Sequence, residues 1–145
     1  MNFVKPKRKV DKVFIHCSAN DNEIFAGHRL YQFIREIHVD QNGWSDVGYH
    51  FLIDKVGQVM AGRSLEKIPA AQKGHNTGSI AIMVHGLEDF TGASMEALQK
   101  LCKQINEAYD CKLTFHGHCE VSDKACPVFD YKTVLQLDDE GNMSD

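Results

Sequence analysis

The chain has no long apolar run: its longest, such as residues 80–84, falls far short of the ~20 residues that a membrane-spanning helix needs. The basic residues Lys5, Lys7, Arg8 and Lys9 are not followed by an apolar segment of signal-peptide length. We therefore expect no export signal, and a soluble protein made in the cytoplasm. An excess of positive charge is missing too. A net charge of -4 argues against general affinity for nucleic acid or for anionic membrane. No repeat, low-complexity stretch or interior Pro/Gly/Ser-rich hinge divides the sequence, and 145 residues are enough for one proper core but not for two. Cysteine is present but not in a disulfide pattern. Cys17, Cys102, Cys111, Cys119 and Cys126 are odd in number, and without export they sit in a reducing compartment, which leaves thiols or metal ligands.

Only the ends look loose. Residues 1–9 form a basic arm with Pro6 and few apolar positions, and residues 138–145 form an acidic tail without periodicity, so each reads as a solvated segment around a domain of residues 10–137. Within that domain strands and helices alternate. β-Prone runs lie at residues 10–16, 49–53, 58–61, 79–86 and 113–118, about five strands. Leu30, Phe33, Ile34, Ile37 and His38 recur at helical spacing, as do Met95, Leu98, Leu101, Cys102, Ile105 and Tyr109. Ser94 is the expected N-cap of the second helix, with Glu96 in its first turn, and a short helix over residues 131–137 closes the domain. This interleaving predicts an α/β fold, a mixed central sheet of about five strands flanked by helices.

The densest chemistry lies in HGHCEVSDKACPVFD, residues 116–130, directly behind the last expected strand. His118 and Cys126 are far enough apart for a loop to bring a thiolate back to an imidazole. A catalytic zinc takes three protein ligands and keeps one position open, and His16, at the end of the first expected strand, could supply the third. Spacing alone leaves this a candidate set.

Four strings then add to that reading: FIHCSA at residues 14–19, WSDVGYHF at 44–51, KGHNTGSIAI at 73–82 and EVSDKACPVFD at 120–130. In order and spacing they resemble the type 2 family of N-acetylmuramoyl-L-alanine amidases, in particular the small zinc amidase lysozymes (endolysins) of podoviral bacteriophages. The resemblance spans roughly residues 10–135 and implies the type 2 amidase fold, shared with peptidoglycan-recognition proteins. It implies Zn2+ held by His16, His118 and Cys126, with Tyr49 and Lys124 as the catalytic pair. It implies peptidoglycan as substrate, cut at the amide between N-acetylmuramic acid and L-alanine, and a phage endolysin held in the host cytoplasm until released to the cell wall. On residue type alone, Tyr49 would be a sheet-packing residue and Lys124 a surface lysine.

Several neighbours are set aside by strand alternation: His50 beside Tyr49, and Cys119 beside His118, should each face away from the metal. Glu120 reads equally as a partner orienting a ligand histidine or as a loop carboxylate. The sequence departs from many relatives in carrying Ala71 where they have a histidine of the substrate groove, and His75 either supplies some of that contact or is merely solvated. A monomer is expected. Two alternatives to a simple hydrolase follow from the family: a peptidoglycan-binding module without turnover, or an amidase that also inhibits a phage RNA polymerase, for which the basic arm is the one motive.

Overall fold

The computed structural model describes residues 3–143. Its elements are β1 (Lys12–Cys17), α1 (His28–Arg35) continued by a π-helical turn (Glu36–Gln41), β2 (Phe51–Ile53), β3 (Val59–Ala61), β4 (Ser79–Val84), α2 (Gly92–Ala108), β5 (Thr114–Gly117), a 3-10 turn (His118–Glu120) and α3 (Tyr131–Val134). The five strands form one sheet in the order β3-β2-β4-β1-β5, with β3 antiparallel to β2 and the remaining pairs parallel. The expected mixed sheet with helices on both sides is what the chain forms.

Strand alternation decides what each face carries. Val13 and Ile15 of β1, Phe51 and Ile53 of β2, and Ile80, Ile82 and Val84 of β4 pack with Leu98, Leu101, Cys102 and Ile105 of α2. On the opposite face Leu52 and Met83 pack with Leu30 and Ile34 of α1. Every residue of β4 is buried, as its unbroken apolar run requires of a central parallel strand. Cys102 is fully buried in the α2 interface, where desolvation raises its thiol pKa, so it is a packing residue.

Three local expectations are corrected. The strand expected to begin at Tyr49 begins at Phe51: Tyr49 packs with the α1-side cluster and Phe51 with the α2-side one. The N-cap of α2 is Thr91, whose Oγ1 accepts from the Ser94 amide at 3.1 Å, and Ser94 is buried within the first turn of the helix. Glu96 lies beyond the first turn and pairs instead with Lys100 at 3.3 Å.

Over their described residues both ends are anchored at particular points, while Val4, Lys5, Lys7, Lys9 and residues 138–140 are exposed. Phe3 packs near Phe51 and Tyr109, Lys5 lies over the Tyr109 ring at 4.6 Å, and Pro6 is buried. Arg8 donates from Nε to the Leu65 carbonyl at 2.6 Å and from Nη2 to the Ser79 carbonyl at 2.7 Å. At the other end Phe115 donates its amide to Gly141 at 2.8 Å, Asn142 donates to the Leu113 carbonyl at 3.2 Å, and Met143 bridges to Leu137. Backbone donors and a guanidinium with acceptors in reach outweigh the low hydropathy of these segments.

Candidate metal centre and substrate groove

His16 stands near the carboxyl end of β1, beside Met83 in the register. Because Val13 and Ile15 turn toward α2, His16 turns to the other face, where it is 1% exposed. Its Nε2 lies 2.9 Å from Oε1 of Gln72, and its Nδ1 lies 4.0 Å from Sγ of Cys126. Burial, then the neighbouring His118, lowers its pKa to about 3, so the ring is neutral and one nitrogen keeps its lone pair.

The other two donors come from the segment after β5. Gly117 ends that strand: an added Cβ would lie 2.5 Å from the Tyr131 ring and 3.0 Å from Pro127, so only glycine lets the strand pass beneath them. Glu120 accepts from the Gly117 amide at 2.9 Å, from the Tyr131 hydroxyl, and from Nδ1 of His116 at 2.9 Å, fixing the turn on which His118 sits. The amide of Cys119 donates to the Cys126 carbonyl at 2.7 Å and closes the loop. As a result the rings of His16 and His118 are 4.6 Å apart, and donor atoms of His16, His118 and Cys126 all lie within 4.8 Å of one another. Two imidazoles and a thiol converging in this way suit a tetrahedral borderline-soft cation after a small contraction.

The His118 pKa is lowered by burial, then by the Lys124 ammonium, which keeps it neutral and able to ligate. The thiol of Cys126 is pushed up by its hydrogen bond with the Cys17 thiol and by burial, so a thiolate here needs a cation beside it. Tyr49 places its ring 5.1 Å from that of His16, and burial, with Cys126 and Cys17 adding to it, raises its phenol pKa, so it remains a proton donor at neutral pH. A groove of about 540 Å³ opens beside His118, lined among others by Trp44, Ala71, Lys73, Asn76, His118 and Lys124.

A family model described as N-acetylmuramoyl-L-alanine amidase matches residues 6–129. The chain belongs to the N-acetylmuramoyl-L-alanine amidase family. It is 38% identical over 136 residues to the endolysin of Escherichia phage T7, covering 88% of this chain and 87% of that one. The endolysin of Enterobacteria phage T3 matches with the same identity and coverage. Among solved structures, the N-acetylmuramoyl-L-alanine amidase LysC from Clostridium intestinale URNW superposes with a TM-score of 0.76 at 27% identity, covering 89% of this chain and 85% of that one.

In this amidase the segments singled out in the sequence meet at one end of the parallel strands, where ligands bind in open α/β sheets. His16, His118 and Cys126 come together, Tyr49 lies beside His16, and Lys124 stands exposed on the groove with His118. His50 turns away: its Nδ1 accepts from the Ala81 amide at 3.1 Å and its Nε2 donates to the Lys67 carbonyl at 2.8 Å. Cys119 is exposed. Glu120 serves His116 and the turn rather than a histidine of the cluster. Ala71 lines the groove, while exposed His75 places its ring 6.5 Å from Phe14. Gln72 was not legible as a site residue. A lone glutamine in a loop gives no periodic or motif signal, and only the fold turns its amide toward His16.

Proposed function

We propose that this amidase hydrolyses the amide between N-acetylmuramic acid and L-alanine with a zinc ion held by His16, His118 and Cys126, and serves as a phage endolysin. The observation that carries the reading is the convergence of three neutral or thiol donors, one of which, His118, lines a groove. Three protein ligands correspond to catalytic rather than structural zinc, and when bound the ion supplies an activated water and Lewis-acid polarisation of the carbonyl.

The chain's own residues complete the chemistry. Lys124, two residues before Cys126 and on the groove beside His118, presents an ammonium to the negative charge that develops on the scissile carbonyl oxygen. Tyr49, kept protonated by burial and with its ring 5.1 Å from that of His16, carries a phenolic proton that it can pass to the departing amine. Trp44, 38% exposed, offers a flat apolar surface for a sugar or peptide segment. The sequence similarity to phage endolysins over nearly the whole chain supports peptidoglycan as substrate and host lysis as the setting.

The test is turnover of purified peptidoglycan, followed as release of L-alanine amino termini, with bound zinc counted per chain. Wild type should turn over with about one zinc, and Cys126→Ala should lose both. Zinc binding without turnover would leave a peptidoglycan-binding module. Added to intact Gram-negative cells, the enzyme should lyse them only after the outer membrane is permeabilised.

A further inference from the structure

We infer that Gln72 is a positioning residue that selects the metal-binding tautomer of His16. The assignment rests on the proposed zinc site and goes beyond it. Gln72 is fully buried, in the loop before β4, and all of its side-chain hydrogen bonds are internal. Its Nε2 faces Oγ of Ser79 at 2.6 Å and the carbonyl of His75 at 3.3 Å. The Ser79 hydroxyl donates its own hydrogen to the Asn76 carbonyl at 2.8 Å, so toward Gln72 it is an acceptor. The His75 carbonyl can only accept. Two acceptors on one side require the amide NH2 there, and Oε1 must therefore point at Nε2 of His16, 2.9 Å away.

A carbonyl oxygen facing a ring nitrogen at that distance requires the proton on Nε2. Nδ1 is then left with its lone pair, on the side of the ring facing Cys126 Sγ. The loop itself is held: Asn76 Oδ1 accepts from the amides of Ala71 and Gln72 at 3.1 and 3.0 Å, and Gln72 cannot swing out. The arrangement is a relay of hydrogen-bond polarity from the Asn76 carbonyl through Ser79 and Gln72 to His16. Its effect is to pre-pay the choice of tautomer and ring orientation before a metal arrives.

The experiment compares wild type, Gln72→Met, which keeps length and removes the acceptor, and Gln72→Glu, which when protonated restores both an acceptor toward His16 and a donor toward Ser79. Zinc affinity is measured by competition with a chromophoric chelator, and the protonated nitrogen of His16 is read by 15N NMR in zinc-free protein, with thermal melts confirming folding. We expect Gln72→Met to bind zinc about 10–100-fold more weakly. Gln72→Glu should recover to within a few-fold of wild type. His16 should be protonated on Nε2 in wild type and mixed in Gln72→Met. Wild-type zinc affinity in Gln72→Met, loss in Gln72→Glu equal to that in Gln72→Met, or a wild-type proton on Nδ1 would each overturn the assignment. Should wild type take up no zinc, the proposed function fails, and the His16 tautomer still decides the role of Gln72.

Discussion

The backbone N–H of Cys17 donates to Sγ of Cys126 at 3.0 Å, across 109 residues of sequence. The end of β1 thus supplies one donor through the side chain of His16 and orients another through the next amide. Against this, the Cys17 thiol and burial hold the Cys126 thiol protonated in the absence of a cation. Zinc uptake should therefore release a proton, and the apparent affinity should rise with pH, by at most about tenfold per unit for one proton. Titration calorimetry in buffers of different ionisation enthalpy measures that release. Cys17→Ala removes the opposing thiol and should bind zinc more tightly at pH 6. A pH-independent affinity would contradict the account.

Lys124 and Tyr49 are assigned to the reacting groups and not to the metal. Lys124→Ala and Tyr49→Phe should each lower kcat about 10²–10³-fold while leaving bound zinc unchanged. A rise in KM at constant kcat would instead assign them to substrate binding.

His38 and His50 make the fold sensitive to acid. Burial lowers each pKa to about 4, from an ordinary value near 6.5. Each accepts an amide hydrogen at Nδ1, from Gly48 at 2.9 Å and Ala81 at 3.1 Å respectively, which the protonated ring cannot do. Between about pH 4 and 6.5 the unfolded chain binds more protons, so stability falls with acidification across that window, by on the order of 2–3 kcal/mol for each group. Urea midpoints should drop between pH 7.5 and pH 5. His50→Gln should remove about one proton from the slope; an unchanged slope would exclude His50 as a contributor.

Arg8 ties the N-terminal arm to two carbonyls of the body, those of Leu65 and Ser79. Arg8→Ala leaves both without that donor, and we expect a loss of about 2–3 kcal/mol. The urea midpoint should fall at constant m-value, with the zinc content unchanged.

The order of strands and helices and the four family strings were legible because periodicity and motif are local properties of the chain. His50 and Cys119 were set aside by strand alternation, but one lies before β2 and the other in the 3-10 turn. Their orientation therefore has other causes, for His50 its bonds to Ala81 and Lys67. Where a motif sat at an element boundary the reading slipped: Tyr49 precedes its strand, and Thr91, not Ser94, caps α2, because a cap depends on which hydroxyl reaches an orphan amide. Composition did not show where the two ends are anchored, since low hydropathy does not reveal acceptors waiting in another part of the fold.

By itself, then, the sequence determined the class of fold, the family and the chemical types available for a metal site. Only the tertiary structure decided which of those groups meet. Parallel pairing of β1 with β4 and β5 places His16 beside the turn that carries His118, and Gly117 admits the close passage that returns Cys126. Gln72 belongs wholly to this second category. Its role depends on the direction of hydrogen bonds from Asn76, Ser79 and His75, which is fixed by three-dimensional partners and has no signature along the chain.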